Sequence, residues 1–129
     1  MSDPAGNPAV RMLLIDDEKG FVATLAKRLA KRNIQATQAF SGREGIQALR
    51  RQDFDVVVLD LKMEDMDGLE VLKIIKIMAP DLPVIMLSGH ASDEAAQTGI
   101  KAGAFDYLTK PYDLSELLEK IGAALEQKK

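Results

Sequence analysis

Asp55-Val-Val-Val-Leu-Asp60 is a run of four apolar residues between two carboxylates. A continuous apolar run of this length is typical of a central strand in a parallel sheet, because helices cover both faces of such a sheet. A second run, Val10-Arg-Met-Leu-Leu-Ile15, is followed directly by Asp16 and Asp17. We predict two neighbouring buried strands whose ends bring three carboxylates together, where a bound cation or raised pKa values must offset the repulsion between them.

Strand-like runs and helical patterns alternate five times along the chain, which indicates β–α units building a parallel sheet. The second and fifth runs mix polar and apolar residues, so we expect them at the sheet edges. Right-handed crossovers favour an α/β fold with a doubly wound five-stranded parallel sheet in the order 2-1-3-4-5, the flavodoxin-like arrangement. The predicted strands are residues 10–15, 34–39, 55–60, 83–88 and 105–108.

Capping signals predict where three of the helices begin. Ser41 and Glu44 have capping-box spacing, Ser92 precedes two acidic residues, and Asp113 stands three residues before Glu116. Side chains of these types satisfy the free N–H groups of a first helical turn.

The apolar spacing within the helices predicts which side chains face the sheet. Phe21, Leu25 and Leu29 recur every four residues, so we expect all three to face the sheet. The fourth helix, roughly Ser92 to Ala102, contains Gly99, and we expect it to be weak. In the third helix, Ile77 falls between charged positions and is expected to be exposed.

The composition indicates one compact domain and excludes several classes of protein. The chain has 129 residues, 47% hydrophobic and 29% charged, which suits a single domain. We assign residues 10–125 to it, 1–9 to a flexible leader and 126–129 to a tail or the start of a linker. A net charge of −3 argues against direct nucleic-acid binding.

The absence of other sequence signals limits the kinds of metal site and the cellular locations that we expect. No cysteine is present, which excludes disulfides and thiolate metal sites. We find neither the apolar segment of a signal peptide nor a run of about 20 apolar residues that could cross a membrane. We therefore expect a cytoplasmic protein without membrane contact.

Polar residues at the carboxyl ends of the predicted strands point to a functional site. Asp16 and Asp17 follow the first strand, Asp60 ends the third, Ser88 ends the fourth and Lys110 follows the fifth. Ligands of open α/β sheets bind at this edge, and hard carboxylate oxygens suit Mg²⁺. A cation and an ammonium group together can hold a phosphoryl group, for which aspartate is an established acceptor.

Five motifs occur in order along the chain, four of them at or directly after a predicted strand end. With them the chain resembles the receiver domain of two-component response regulators, in the CheY-like superfamily, over roughly residues 10–125. The motifs are Ile15-Asp16-Asp17-Glu18, Val58-Leu59-Asp60-Leu61-Lys62-Met63, Met66-Asp67-Gly68, Leu87-Ser88-Gly89-His90 and Tyr107-Leu108-Thr109-Lys110-Pro111.

The resemblance implies a Mg²⁺-dependent phosphoacceptor site. Asp60 would take a phosphoryl group from the phosphohistidine of a sensor histidine kinase or a phosphotransfer protein. Asp17, Asp60 and the backbone carbonyl of Lys62 would bind Mg²⁺ directly, and Asp16 would act through water.

The resemblance also implies how the phosphoryl group is held and sensed. Lys110 and Ser88 would contact its oxygens, and Gly89 would leave room for it. Tyr107 would turn inward as Ser88 moves, which would alter the face formed by the fourth helix, fifth strand and fifth helix. The Lys110-Pro111 peptide bond would be cis.

Two positions concern the tuning of the site. Glu64 replaces the proline common four residues after the acceptor, so we expect a less rigid and more acidic loop there. His90, the only histidine, stands where this family tunes dephosphorylation together with Lys62 and Gly89, although it is equally well explained as a loop residue without a role.

The resemblance implies a kinase docked on the first helix, near Phe21, Lys27 and Arg28. Phe21 in the core and solvated basic residues remain the simpler alternative. Homodimerisation is possible through the face formed by the fourth helix, fifth strand and fifth helix. Candidate ion pairs on it are Lys101, Asp106, Glu116 and Lys120.

Alternatives to this function remain open at the level of sequence. We expect no enzymatic activity other than phosphorylation of the chain itself from a donor and slow hydrolysis of that phosphate. The domain would act either as a stand-alone protein or as part of a longer regulator. An aspartyl phosphatase of the haloacid-dehalogenase type resembles it, but needs a second aspartate where Lys62 stands. A receiver that binds partners without phosphorylation would have no need for the charge cluster.

Overall fold

The computed structural model describes residues 9–89 and 93–128. Strands and helices alternate strictly along these residues. The elements are β1 (Val10–Ile15), α1 (Lys19–Ala30), β2 (Ile34–Ala39), α2 (Gly42–Arg51), β3 (Val56–Asp60), α3 (Gly68–Met78), β4 (Val84–Ser88), α4 (Asp93–Lys101), β5 (Asp106–Thr109) and α5 (Leu114–Lys128).

The strands form one parallel sheet in the order β2-β1-β3-β4-β5. This confirms the predicted doubly wound α/β fold, with the second and fifth strands at the edges. Each predicted strand lies within one residue of the observed one at both ends. The order of the strands reverses between β1 and β3, so the crevice expected to hold a ligand lies above their carboxyl ends.

Two apolar cores lie on the two faces of the sheet. Met12 and Leu14 of β1 belong to one core, which α1 and α5 cover, whereas Leu13 and Ile15 belong to the other, which α2 and α3 cover. All four side chains have no exposed surface. Burying a side chain of this size contributes about 1.5–3 kcal/mol, so these residues hold the strand ends in fixed positions.

Side chains form capping hydrogen bonds at the beginnings of α2 and α5. The Ser41 hydroxyl accepts a hydrogen bond from the N–H of Glu44 at 3.1 Å, as predicted. The Glu44 carboxylate accepts from the N–H of Phe40 at 3.2 Å, one residue before the expected partner. The N–H of Asp113 donates to Glu116 at 3.0 Å. Ser92 lies outside the described residues.

The structure tests three expectations about the helices, which concern Phe21, Gly99 and Ile77. Leu25 and Leu29 are buried, but the prediction for Phe21 is wrong, because Phe21 is 37% exposed. A Cβ at Gly99 would overlap the thioether of Met86, so the glycine lets α4 approach β4. Ile77 is exposed, as predicted.

The carboxyl-terminal helix is longer than the predicted domain. Helix α5 runs from Leu114 to Lys128, so residues 126–128, which we assigned to a tail or linker, are helical. Of the helices in the described parts of the chain, none is long and apolar enough to cross a membrane.

Candidate functional site

Three carboxylates converge at the carboxyl ends of β1 and β3. The parallel pairing places Ile15 beside Leu59, so Asp16, which follows β1, and Asp60, which ends β3, become neighbours. Carboxylate oxygens of Asp16, Asp17 and Asp60 all lie within 4.8 Å of one another. Asp16 has no exposed surface and Asp60 is 3% exposed. The sequence prediction of an acidic cluster at this edge therefore agrees with the geometry.

Local backbone hydrogen bonds orient two of the three carboxylates. Oδ1 of Asp16 accepts from the N–H of Glu18 at 3.0 Å, and Oδ1 of Asp60 accepts from the N–H of Lys62 at 3.1 Å. Each is an aspartate bonded to the backbone two residues on, a favoured local turn. The second oxygen of each carboxylate is thereby directed toward the centre of the site.

Lys110 brings its ammonium group to these second oxygens. Its Nζ lies 3.2 Å from Oδ2 of Asp16, 3.3 Å from Oδ2 of Asp60 and 3.3 Å from Oε1 of Glu18. The Lys110 side chain is 21% exposed, whereas Glu18 is 64% exposed. Lys110 therefore interacts mainly with the two buried acids.

The pKa values in the cluster reflect burial and opposite charge. Burial by itself lowers the pKa of Lys110, but attraction to Asp16 and Asp60 outweighs it and raises the pKa above the usual value. Burial is the main cause that raises the pKa of Asp16; repulsion from Asp60 adds to it, and hydrogen bonds from Glu18 and Lys110 oppose it. Lys110 is thus a permanent positive charge at neutral pH.

The donor set fits a hard divalent cation. One ammonium group faces three carboxylates, two of them buried, and a charged group removed from water is costly unless it is paired or binds a metal. Carboxylate oxygens are the ligands that Mg²⁺ prefers, with waters and a phosphate oxygen completing its shell. Asp16, Asp17 and Asp60 are therefore suited to hold such an ion.

The ends of β4 and β5 border the cluster. Ser88 is half-buried and pairs in register with Thr109, and the N–H of Lys110 donates to the carbonyl of Ser88 at 2.7 Å. A Cβ on Gly89 would meet no atom of the described residues within 4 Å, so packing against them does not require glycine there. His90 lies outside the described residues.

Tyr107 lies on β5, on the outer surface of the sheet edge. Its side chain is 36% exposed, and it lines a shallow cavity of about 260 Å³ with Ala96, Gln97, Ile100 and Lys101 of α4. On the same face, Nζ of Lys120 lies 2.6 Å from Oδ2 of Asp106. Two of the four residues considered for ion pairs between copies thus pair with each other within one chain.

Sequence reasoning missed the aromatic surroundings of Lys110. Its ammonium lies 5.3 Å from the ring centre of Phe21, and Phe21 meets Tyr112 edge to face at 6.3 Å. The Tyr112 hydroxyl is buried and has no hydrogen-bond partner among the residues that the structure describes, and burial raises its pKa to about 12. Tyr112 directly follows Lys110-Pro111, which is cis as predicted.

Comparison with known proteins defines the class of this chain. The family model described as response regulator receiver domain matches residues 12–122. The chain belongs to this family.

Individual relatives agree with this assignment. The chain is 39% identical over 116 residues to the transcriptional regulatory protein GlrR of Escherichia coli K12, covering 90% of this chain and 26% of that protein. Its fold matches the receiver domain of the Francisella response regulator 1452 at a TM-score of 0.86 and 33% identity, covering 95% of this chain and all (100%) of that one. The beryllofluoride-activated NtrC4 receiver domain dimer gives 0.87 and 34%, covering 92% and 98%.

The chain spans about a quarter of the length of the first of these relatives, 26% of GlrR. The similarity therefore concerns the receiver domain and not the remainder of that regulator. A receiver domain is not a classical enzyme, which disfavours the phosphatase alternative.

Proposed function

We propose that the chain accepts a phosphoryl group on Asp60 from the phosphohistidine of a histidine kinase or phosphotransfer protein. A carboxylate oxygen of Asp60 attacks phosphorus, the phosphorus–nitrogen bond breaks, and its electron pair stays on the imidazole. The observation that carries the proposal is the contact of the Asp60 carboxylate with the Lys110 ammonium at 3.3 Å, inside the acidic cluster. Family membership supports the same chemistry.

In this proposal Lys110 and Ser88 hold the transferred group. Lys110 contacts Oδ2 of Asp60, so its ammonium is near the place where phosphoryl oxygens arrive. Ser88, at the end of the neighbouring strand, donates its hydroxyl to one of them. Gly89 leaves the approach open, since a Cβ there would meet no atom within 4 Å in the described parts of the chain.

Asp17, Asp60 and the backbone carbonyl of Lys62 would hold Mg²⁺, with Asp16 acting through water. A bound cation supplies charge neutralisation between the carboxylates and the incoming phosphoryl oxygens. The chain itself orients Asp16 and Asp60, through the N–H groups of Glu18 and Lys62.

The signal would leave through α4, β5 and α5. Added charge at Asp60 draws Ser88 toward it, and Tyr107 turns inward from its exposed position on β5. This rearrangement changes the cavity that Tyr107 lines with α4 and so changes partner binding, as expected of a local charge switch acting on a bistable element. The NtrC4 receiver was solved as an activated dimer, which supports a homodimer through this face as one result of phosphorylation.

The cytoplasmic location of the chain remains a prediction.

The complete set of acids, hydroxyl and amine supports phosphorylation over a receiver that binds partners without it. Slow hydrolysis of its own phosphate would be the only turnover of the domain. His90 remains a predicted tuning residue, with Lys62 and Gly89 beside it.

Intact mass spectrometry after incubation with acetyl phosphate and Mg²⁺ tests the proposal. We expect the protein to gain one phosphate, and neither Asp60→Asn nor the wild type in EDTA to gain any. A gain that survives Asp60→Asn would refute the assignment of the acceptor. Circular dichroism of the variant ensures that an unphosphorylated result reflects chemistry and not unfolding.

A further inference from the structure

The loop that follows the predicted acceptor is attached to α2 by one side chain. Oδ1 of Asp65 accepts from the N–H of Gly42 at 3.0 Å and Oδ2 accepts from the N–H of Arg43 at 3.2 Å. These are the first N–H groups of α2, which have no partner within the helix. Both oxygens of an exposed carboxylate are thus committed to a helix 22 and 23 residues away in sequence.

The electrostatic setting favours this attachment. A carboxylate at a helix N-terminus meets the positive end of the helix dipole. Burial is the largest single influence and opposes ionisation of Asp65, but the N–H groups of Gly42 and Arg43, together with those of Asp65 and Met66, outweigh it and lower the pKa below its usual value. Asp65 is therefore ionised, and holds both bonds, at neutral pH.

Packing strengthens the same connection. A Cβ on Gly42 would lie 2.7 Å from Val71 of α3 and 3.3 Å from Met66 of the loop, so the first residue of α2 lies directly against both. At its base the loop is closed by a bridge between Lys62 and Asp67. Residues 61–67 are thus fixed at the base by their own backbone and at the tip by Asp65.

This loop carries two groups of the proposed site. Its Lys62 donates its N–H to Oδ1 of Asp60 at 3.1 Å, and the carbonyl of Lys62 is a proposed cation ligand. A proline would limit the motion of the backbone here, but the chain has Glu64 at that position. Asp65 supplies the restraint by hydrogen bonding instead.

We propose that Asp65 is a positioning residue for the cation site: by fixing residues 61–67 against α2, it sets the affinity of the site for a divalent cation. The proposal rests on the function proposed above. Residues that orient metal ligands typically change metal affinity by roughly 10–100-fold when they are lost. We expect Asp65→Ala to weaken binding roughly tenfold, since the ligands themselves stay.

Electron paramagnetic resonance of Mn²⁺, with Mg²⁺ as competitor, measures this affinity without any phosphodonor. Ser41→Ala removes the local cap of α2, which accepts from Glu44 at 3.1 Å, but leaves the loop attached. Glu70→Gln removes one exposed negative charge at the start of α3 without removing the hydrogen bonds of Asp65. We expect both controls to bind Mn²⁺ like the wild type.

Two further variants separate positioning from general instability. Asp65→Asn retains one acceptor oxygen, so we expect an affinity between those of the wild type and Asp65→Ala. Glu64→Pro in the Asp65→Ala background should recover most of the lost affinity by restraining the backbone directly. Should Asp65→Ala fail to fold, Asp65→Asn carries the test alone.

The outcomes distinguish this inference from the proposed function. If the wild type binds Mn²⁺ and Asp65→Ala and Asp65→Asn bind it equally well, the positioning role is refuted and the phosphoacceptor assignment is unaffected. Equal weakening by Ser41→Ala would also refute it, because fraying of α2 would then suffice. If the wild type binds no divalent cation, the proposed cation site itself fails.

Discussion

The ammonium of Lys110 lies 3.3 Å from Oδ2 of Asp60, although 50 residues separate the two in sequence. The contact joins the carboxyl ends of β3 and β5, which are not neighbours in the sheet. Lys110 reaches over the end of β4 and contacts Asp16 as well. One cation thus compensates two buried carboxylates that would otherwise repel each other.

Replacing Lys110 by alanine should impair both stability and phosphoryl uptake. Loss of one partner of a buried ion pair costs about 3–5 kcal/mol, and we expect the lower end because Lys110 is 21% exposed. Urea unfolding without divalent cations measures this loss, which saturating Mg²⁺ should largely reverse. Uptake from acetyl phosphate should slow roughly 100-fold, as when one charge-stabilising donor is removed.

Lys76→Ala is a matched control for that experiment. Lys76 is also partly buried, and burial lowers its pKa, but its ammonium donates to the carbonyl of Leu82 at 2.9 Å, away from the cluster. Its uptake rate should equal that of the wild type. Equal uptake by Lys110→Ala would contradict the role given to Lys110.

Magnesium should stabilise the fold through the acidic cluster. At a concentration 100 times the dissociation constant, a ligand that binds only the folded state adds about 2.7 kcal/mol to the free energy of unfolding. Asp17→Asn should lose most of this increase in thermal unfolding experiments. Asp53→Asn makes the same change of charge at an exposed position before β3 and should keep the increase; a loss in both variants would indicate unspecific charge screening.

Gly68 and Gly122 should respond oppositely to alanine. A Cβ on Gly68 would overlap the backbone of Leu61, 2.6 Å from its carbonyl oxygen, whereas one on Gly122 in α5 would meet none of the described residues within 4 Å. We expect Gly68→Ala to destabilise by about 1–3 kcal/mol through overpacking. Gly122→Ala should stabilise by about 0.4–1 kcal/mol through helix propensity and chain entropy. Denaturant titrations that gave the same sign for both would contradict the packing at Leu61.

The hydrogen bonds of Asp65 should make stability depend on pH in the acid range. The pKa of its carboxyl is lowered in the folded protein from the usual 3.8, so ionised Asp65 adds stability that is complete above pH 3.8 and is lost as pH falls through the folded value. The difference in unfolding free energy between the wild type and Asp65→Ala should therefore shrink as the pH is lowered below about 4. A difference that stays constant down to pH 2 would show that the charge of Asp65 contributes nothing.

The sequence predicted the parts of this molecule that depend on local pattern. Continuous apolar runs identified β1, β3 and β4, and the acids that end two of these runs identified the site. The exposure of Phe21 was not predictable from spacing, because Phe21 shares the period of Leu25 and Leu29 but stands in the first turn of α1 and is not part of the apolar core that α1 covers.

The features that the sequence did not predict depend on contacts between residues that are distant in sequence. From sequence, Gly99 predicted only a weak helix, whereas in the structure it allows α4 to approach Met86 closely. Asp65 gave no signal, since its hydrogen bonds reach residues more than 20 positions away. Such contacts require the sheet order and the loop geometry, which no local pattern contains.

Borohydride trapping of the phosphorylated protein tests the central claim most directly. Borohydride reduces an aspartyl phosphate to homoserine, so tryptic peptide mass spectrometry locates the phosphorylated carboxyl group. Our account predicts homoserine at position 60, only after incubation with phosphodonor and Mg²⁺. Homoserine at position 16 or 17, or none in a protein that has gained phosphate, would contradict it.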